Sequence, residues 1–401
     1  MKHFQAIKLP RSIWAIGLMT LLMNISTVIV FSLQPEYLVH VLGFSALGLG
    51  VLEGTVEFMS WLTRVFSGAI SDALRRRKPL LIAAVSLTAI ARPLFALSTS
   101  MVGIFTARTL DRIGNGLQAS PRDALIGDAA PAKHRGQAFG LRQALGMVGS
   151  ALGALLTIYW MKNGYDDYKT VFWIAAIFPL LAFLLVIYCV KDHTHVSLGQ
   201  HPHQSTPKTK RKVAVHLYNI GTLEREYWFV LIVAALYMMT QYSGTFIILH
   251  GTAITGLKTI GPQIMLAQNV CAMLIAYPLG RLFDQMNHRI LLALGLVVVI
   301  AANLAFNLAS NTSHILLGAA LWGVQIGMIH AILAAKISST TVETNRGTGF
   351  GIYYIASGSA IFLSNAVIGK VAEVLSLSQA LLLSALMAGI AIACLPLMKK
   401  N

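Results

Sequence analysis

The chain has 401 residues, 56% of them hydrophobic and only 11% charged, with a mean hydropathy of +0.68. A soluble domain carries about a quarter of its residues as Asp, Glu, Lys and Arg, so this composition excludes an ordinary soluble enzyme, a disordered chain and a nucleic-acid binder. The 31 Lys and Arg against 15 Asp and Glu then read as the basic loops of an integral membrane protein.

A helix needs about 20 mostly apolar residues to cross a bilayer. In chain order, such segments are predicted over 12–33, 45–67, 79–98, 101–120, 137–160 and 168–190. After a polar stretch they resume over 227–250, 260–282, 290–309, 314–335, 349–369 and 376–397. The first is too long for the core of a signal peptide and lacks a small-residue cleavage site, so it is expected to be retained. The polar stretch, 191–226, has linker composition and divides the chain into a six-helix bundle over 1–190 and another over 227–401. Its His193, His195, His201 and His203 have Asp192 as the sole acid beside them, so they read as a solvated segment rather than a metal site. Cys189, Cys271 and Cys394 each sit in an apolar run, which argues against disulfides or zinc.

Basic residues orient the chain. With both termini cytoplasmic, 22 of the 31 Lys and Arg fall inside and four, Lys162, Lys169, Lys258 and Lys370, fall outside.

Two motifs recur at nearly one offset. Gly68-Ala69-Ile70-Ser71-Asp72 closes the second span and Gly280-Arg281-Leu282-Phe283-Asp284 the eighth. Arg135-Gly136-Gln137-Ala138-Phe139-Gly140 opens the fifth and Arg346-Gly347-Thr348-Gly349-Phe350-Gly351 the eleventh. An even number of spans per half makes the halves parallel repeats, related by an axis along the membrane normal.

The stretch from Gly68 through Asp72 to Arg75-Arg76-Arg77-Lys78 resembles the loop signature of the major facilitator superfamily. Arg108-Thr109-Leu110-Asp111-Arg112-Ile113-Gly114-Asn115-Gly116 is similar to that superfamily's motif in the fourth helix. Segments such as Glu53-Gly54 and Pro121-Arg122-Asp123 look like a bacterial branch. The resemblance covers nearly the whole chain. It implies an all-α membrane protein of twelve transmembrane helices in two parallel six-helix repeats, set in a bacterial inner membrane. It also implies a cavity between the halves, a proton gradient in place of any cofactor, and a monomer sufficient for function. A conformational latch is implied at Gly68, Asp72, Arg75 and Arg76, with Arg112 or Asp128 as partners and Gly280 and Asp284 as its degenerate copy. Two departures stand out. Ser150 or Ala154 occupies the place of the proline in the exporters' fifth-helix signature, and Asn24-Ile25-Ser26-Thr27-Val28 stands where acids are expected in the first span.

Charge inside the spans is confined to the first half. Glu53, Glu57 and Arg64 share one face of the second span, with Arg92 on the third, Arg108, Asp111 and Arg112 on the fourth and Arg142 on the fifth. Two carboxylates a turn apart in low dielectric are costly to ionise together, so Glu53 and Glu57, with Arg108, are candidates for carrying a proton. The competing reading is that arginines neutralise both and lock the second span in place. Candidate cavity residues are Asn24, Arg108, Gln241, Tyr242, Gln325, His330 and Tyr353. The excess of arginine hints at an anionic solute such as a carboxylate or siderophore.

No HExxH, P-loop or GxSxG occurs, so an enzyme is not expected. The expected function is proton-coupled movement of a small organic solute by alternating access, export slightly ahead of import. A membrane sensor that keeps the fold without transporting is the alternative.

Overall fold

The computed structural model describes residues 9–74, 77–131, 134–164, 167–191, 223–285, 287–341 and 346–397. They form thirteen α-helices. The first half holds α1 (Arg11–Glu36), α2 (Ala46–Leu74), α3 (Arg77–Leu97), α4 (Met101–Ala129), α5 (Arg135–Lys162) and α6 (Tyr168–Cys189). The second holds α7 (Arg225–Thr240), α8 (Gly244–Thr255), α9 (Ile260–Gln285), α10 (His288–Asn307), α11 (Thr312–Ser339), α12 (Arg346–Val374) and α13 (Leu377–Cys394).

The helices match the predicted spans one for one, except that the seventh is broken into α7 and α8. A π-helical turn at Tyr37–Val41 also prolongs the first span beyond its predicted end. Eight spans are long and apolar enough to cross a membrane, with α7 and α8 counted together, and α9 and α11 carry shorter apolar segments. The remaining two, α2 and α4, carry the intramembrane acids and most of the arginines, which lowers their hydropathy.

Packing obeys the repeat. In the first half α1 packs on α5 and α6, α3 on α4 and α6, and α2 on α4. The second half reproduces each pair, with α7 on α12 and α13, α10 on α11 and α13, and α9 on α11. The contacts between halves are symmetric too: α2 meets α12 as α9 meets α5. Two parallel copies of one arrangement are therefore joined about a pseudo-two-fold axis.

Close approach between the halves is concentrated where α1 finishes and α2 begins, called here the distal end. It is the end opposite the junction of α6 and α7. A Cβ on Gly50 would overlap the carbonyl of Asn365, one on Gly369 would stand 2.5 Å from Ala46 O, and one on Gly54 2.9 Å from Phe362 O. A Cβ on Gly261 of α9 would likewise overlap Ser32 O of α1. Without side chains at these positions, backbones touch directly. Further along, α2 and α12 meet through side chains instead: a Cβ on Gly351 would find nothing nearer than Val65 Cγ1 at 3.9 Å. On α5, Gly149 and Gly153 press against the α1 backbone at Leu21 and Ile25. The small-residue face of the fifth span is thus used in packing within the first half.

Candidate functional site

Beneath the distal contact lies a cavity of about 610 Å³ between the halves, large enough for a drug-sized solute. The first half lines it with Phe31, Glu53, Glu57, Trp61, Arg64, Arg108 and Arg112; every lining residue from the second half is uncharged. Gln241, Tyr242 and Asn365 stand on that uncharged wall.

The two glutamates are not equivalent. Glu53 is 2% exposed; both its oxygens accept from Arg108 Nη2 at 2.8 Å, and Oε1 also accepts from Gln34 Nε2 at 2.9 Å. Glu57 is a third exposed and lies 3.6 Å from Arg112 Nη1. Each carboxylate thus faces its own guanidinium, which offsets the repulsion expected between two ionised neighbours. Behind them, Asp111 joins Arg92 at 3.1 Å and Arg112 at 3.2 Å. Arg92 also donates to Thr27 Oγ1. The ring of Phe31 collects three cations, with Arg108, Arg112 and Arg92 centred 4.2, 4.4 and 5.3 Å from its centroid. An aromatic face in a desolvated site attracts such cations.

The break in the seventh span forms the opposite wall. Between Thr240 and Gly244 the helical hydrogen bonds lapse, and backbone groups inside a membrane must find other partners. They do so from two helices, α12 and α13. Asn365 Oδ1 accepts from Ser243 N at 2.8 Å, Ser364 Oγ donates to Met239 O at 2.8 Å, and Ser384 Oγ donates to Thr240 O at 2.7 Å. Asn303 receives the Tyr242 hydroxyl at 2.9 Å. The Ser243 hydroxyl accepts from Thr245 N to cap α8 and donates its own proton to Glu53 Oε2 at 3.0 Å. That last bond ties the second half to the buried carboxylate of the first.

Several expected cavity residues stand elsewhere. Asn24 does not line the cavity; its Nδ2 donates to Gly146 O and fastens α1 to α5. Gln325 is fully buried behind the wall, receiving the hydroxyl of Tyr237 and exchanging bonds with Gln241. Tyr353 is also buried, packed with Trp61, Phe350 and Tyr354. The side chain of His330 lies outside the described residues.

The latch residues are only partly described. Arg75 and Arg76 fall outside the described residues, as do the side chains of Asp72 and Asp284; Gly68 and Gly280 lie within α2 and α9. Asp128 pairs with Arg77, which also donates to Ala124 O at 3.0 Å, so the start of α3 is clipped to the end of α4. Arg112, expected as a latch partner, is committed instead to Glu57 and Asp111 in the cavity wall.

Sequence reasoning passed over Gln34, Phe31, Ser243 and the glycines of the distal contact. A signal existed for Ser243: Gln241-Tyr242-Ser243-Gly244 is a polar, glycine-ended run inside an apolar span. Phe31 gave none, since a phenylalanine in a membrane helix is unremarkable until three arginines surround it.

The family model of the Major Facilitator Superfamily matches residues 16–365 and, in a second alignment, 264–400. An MFS-type transporter of Methanocaldococcus jannaschii is 24% identical over 357 residues, covering 88% of this chain and 86% of its own. The multidrug resistance protein MdtH of Photorhabdus laumondii is 29% identical over 163 residues, 40% of each chain. Among solved structures, a POT family transporter in complex with 5-aminolevulinic acid superposes with a TM-score of 0.79 at 11% identity, covering 99% of this chain and 96% of that one.

Proposed function

The chain belongs to the Major Facilitator Superfamily, a family of membrane transporters, and from that premise we propose that it is a secondary active transporter of a small organic solute, coupled to protons through Glu53. The observation that carries this reading is the position of Glu53. A single buried carboxylate in the cavity wall accepts from Arg108 within its own half and from Ser243 of the other. Protonating it removes the charge that holds Arg108 and weakens the acceptor that holds Ser243. One proton therefore loosens the contact between halves, and its departure restores it. Glu57, a third exposed, is the neighbour through which cavity water reaches the pair.

The rocking that follows alternates access to the cavity. The backbone contacts of Gly50 and Gly369 close the distal end in this structure. With the basic loops on the cytoplasmic side, the distal end is the outer one and this is an inward-facing arrangement in an inner membrane. Export is the preferred direction, supported by the likeness to MdtH over part of the chain. One chain already contains both walls of the cavity, which favours a monomer.

The test is a comparison of small molecules inside cells and in spent medium, with and without the gene and with Glu53→Gln in its place. A compound retained by cells lacking the gene, and also by the variant, supports proton-coupled export. One left unused in the medium supports import. Identical profiles, with no change in distal accessibility on shifting pH, would sink the transport reading.

A further inference from the structure

We propose that Arg64 is the anion-binding group of the cavity and that the solute it receives is a planar organic anion, an aryl carboxylate in its simplest form; this rests on the cavity being the transport site. The argument begins with charge. Glu53, Glu57 and Asp111 are matched by Arg108, Arg112 and Arg92, three acids against three bases. Arg64 also lines the cavity, yet no carboxylate lies within ion-pair distance of it among the described residues, and its Nε is buried without a hydrogen-bond partner. A cation inside a membrane span is costly unless something offsets it. Glu57 attracts Arg64 at longer range but is already matched by Arg112, and the cavity supplies the room for a further counter-charge.

Geometry narrows the class of ligand. Arg64 stacks over the ring of Trp61, its guanidinium carbon 5.1 Å from the centroid. Trp61 is held in turn by Tyr353 and Tyr354, at 6.1 and 5.6 Å between centroids. The contact holds the guanidinium against an aromatic face, and a planar fork suits a carboxylate better than it suits a hydroxyl or an amine. Across the cavity, Tyr242 and Trp322 form a second aromatic surface, their rings 4.5 Å apart, beside Ile248, Met265 and Ile361. A ligand with one anionic edge and a flat apolar body meets a partner on both walls. Within the predicted span 45–67, Arg64 lies about 12 Å from the midpoint by the rise per residue, toward the end of the cavity away from the distal contact.

Purified full-length protein in nanodiscs, titrated with 2-naphthoate and with 2-naphthamide, tests this. The two probes share a ring system and differ in charge. Wild type is expected to bind the carboxylate at least about tenfold more tightly, which is about 1.4 kcal/mol. Arg64→Gln should erase that preference and Arg64→Lys should retain part of it, the flexible ammonium replacing the fork. A purely structural arginine would lower thermal stability and leave the preference between probes unchanged. Preference surviving in Arg64→Gln, equal binding of both probes by wild type, or binding of neither overturns the proposal. Those failures leave the transport reading standing wherever distal accessibility still changes with pH; loss of that change as well would remove both.

Discussion

Ser243 and Glu53 are 190 residues apart in sequence and joined by a 3.0 Å hydrogen bond. The bond links the unwound segment of the seventh span to a carboxylate that already accepts from Arg108 and Gln34. Glu53 thus has four donor contacts drawn from two helices, α1 and α4, and the α7–α8 break, and its ionised form is the one they suit. Any event that neutralises it weakens several of them at once.

Glu53→Gln should destabilise the protein far more than Ser243→Ala. The first leaves a buried guanidinium without its anion, a change that costs about 3–5 kcal/mol. The second removes one interhelical hydrogen bond, worth about 0.6–2 kcal/mol in membrane proteins. Thermal unfolding in one detergent compares them, and Glu53→Gln with Arg108→Gln should recover part of the loss. A double variant no better than Glu53→Gln alone would show that the ion pair contributes little. Glu57→Gln should be the milder of the two glutamate changes, because Glu57 is a third exposed and its partner stands 3.6 Å away.

The distal contact makes a conformational prediction. Gly50→Val puts a side chain where the carbonyl of Asn365 now lies, and a backbone carbonyl cannot swing aside as the tip of a side chain can. The halves should separate at that end. Spin labels at positions 47 and 370 should then report a longer and broader distance distribution than in the unsubstituted protein. An unchanged distance, with the protein still folded, would mean that the contact does not hold the distal end closed.

Much of the fold was legible because a bilayer imposes a length and a composition on each helix, and both can be counted. The repeat was legible through its glycines and basic residues at the helix ends. The break at Gln241–Ser243 was legible only as a polar run, because Leu236, Met238 and Met239 before it and Phe246 and Ile247 after it keep the segment apolar on average. What opens the helix there is a set of partners on α10, α12 and α13 that only tertiary packing assembles. The glutamates were legible as intramembrane charge. Their assignment to separate arginines was not, since helical spacing places Glu53 beside Glu57 and says nothing of α4.

Replacing Asn365 with leucine should cost about 1–3 kcal/mol, the range for leaving a buried donor unsatisfied. Its Oδ1 is the acceptor for Ser243 N, and the residue is fully buried. Asn303→Leu, which strips Tyr242 of its acceptor, should cost a similar amount. If the cradle fixes the break, both variants should also increase proteolytic or hydrogen-exchange accessibility near 240–244 relative to α13. Stability falling without any local change there would mean that the losses come from cavities in the packing.

The Arg77–Asp128 pair separates a stabilising role from a switching one. Both side chains are about a quarter exposed, at 24% and 29%; an ion pair that open to solvent contributes about 0–1 kcal/mol. Asp128→Asn should therefore leave the unfolding temperature nearly unchanged. If the pair is a latch, it acts instead on the balance between two folded arrangements, where less than 1 kcal/mol already shifts populations several-fold. The 47–370 label distance should accordingly change in Asp128→Asn. Exchanging the two charges, Arg77→Asp with Asp128→Arg, should bring it back toward the original value, although Arg77 also donates to Ala124 O and that bond is not restored. A label distance indifferent to both variants would leave the pair as a clip between α3 and α4 with no part in switching.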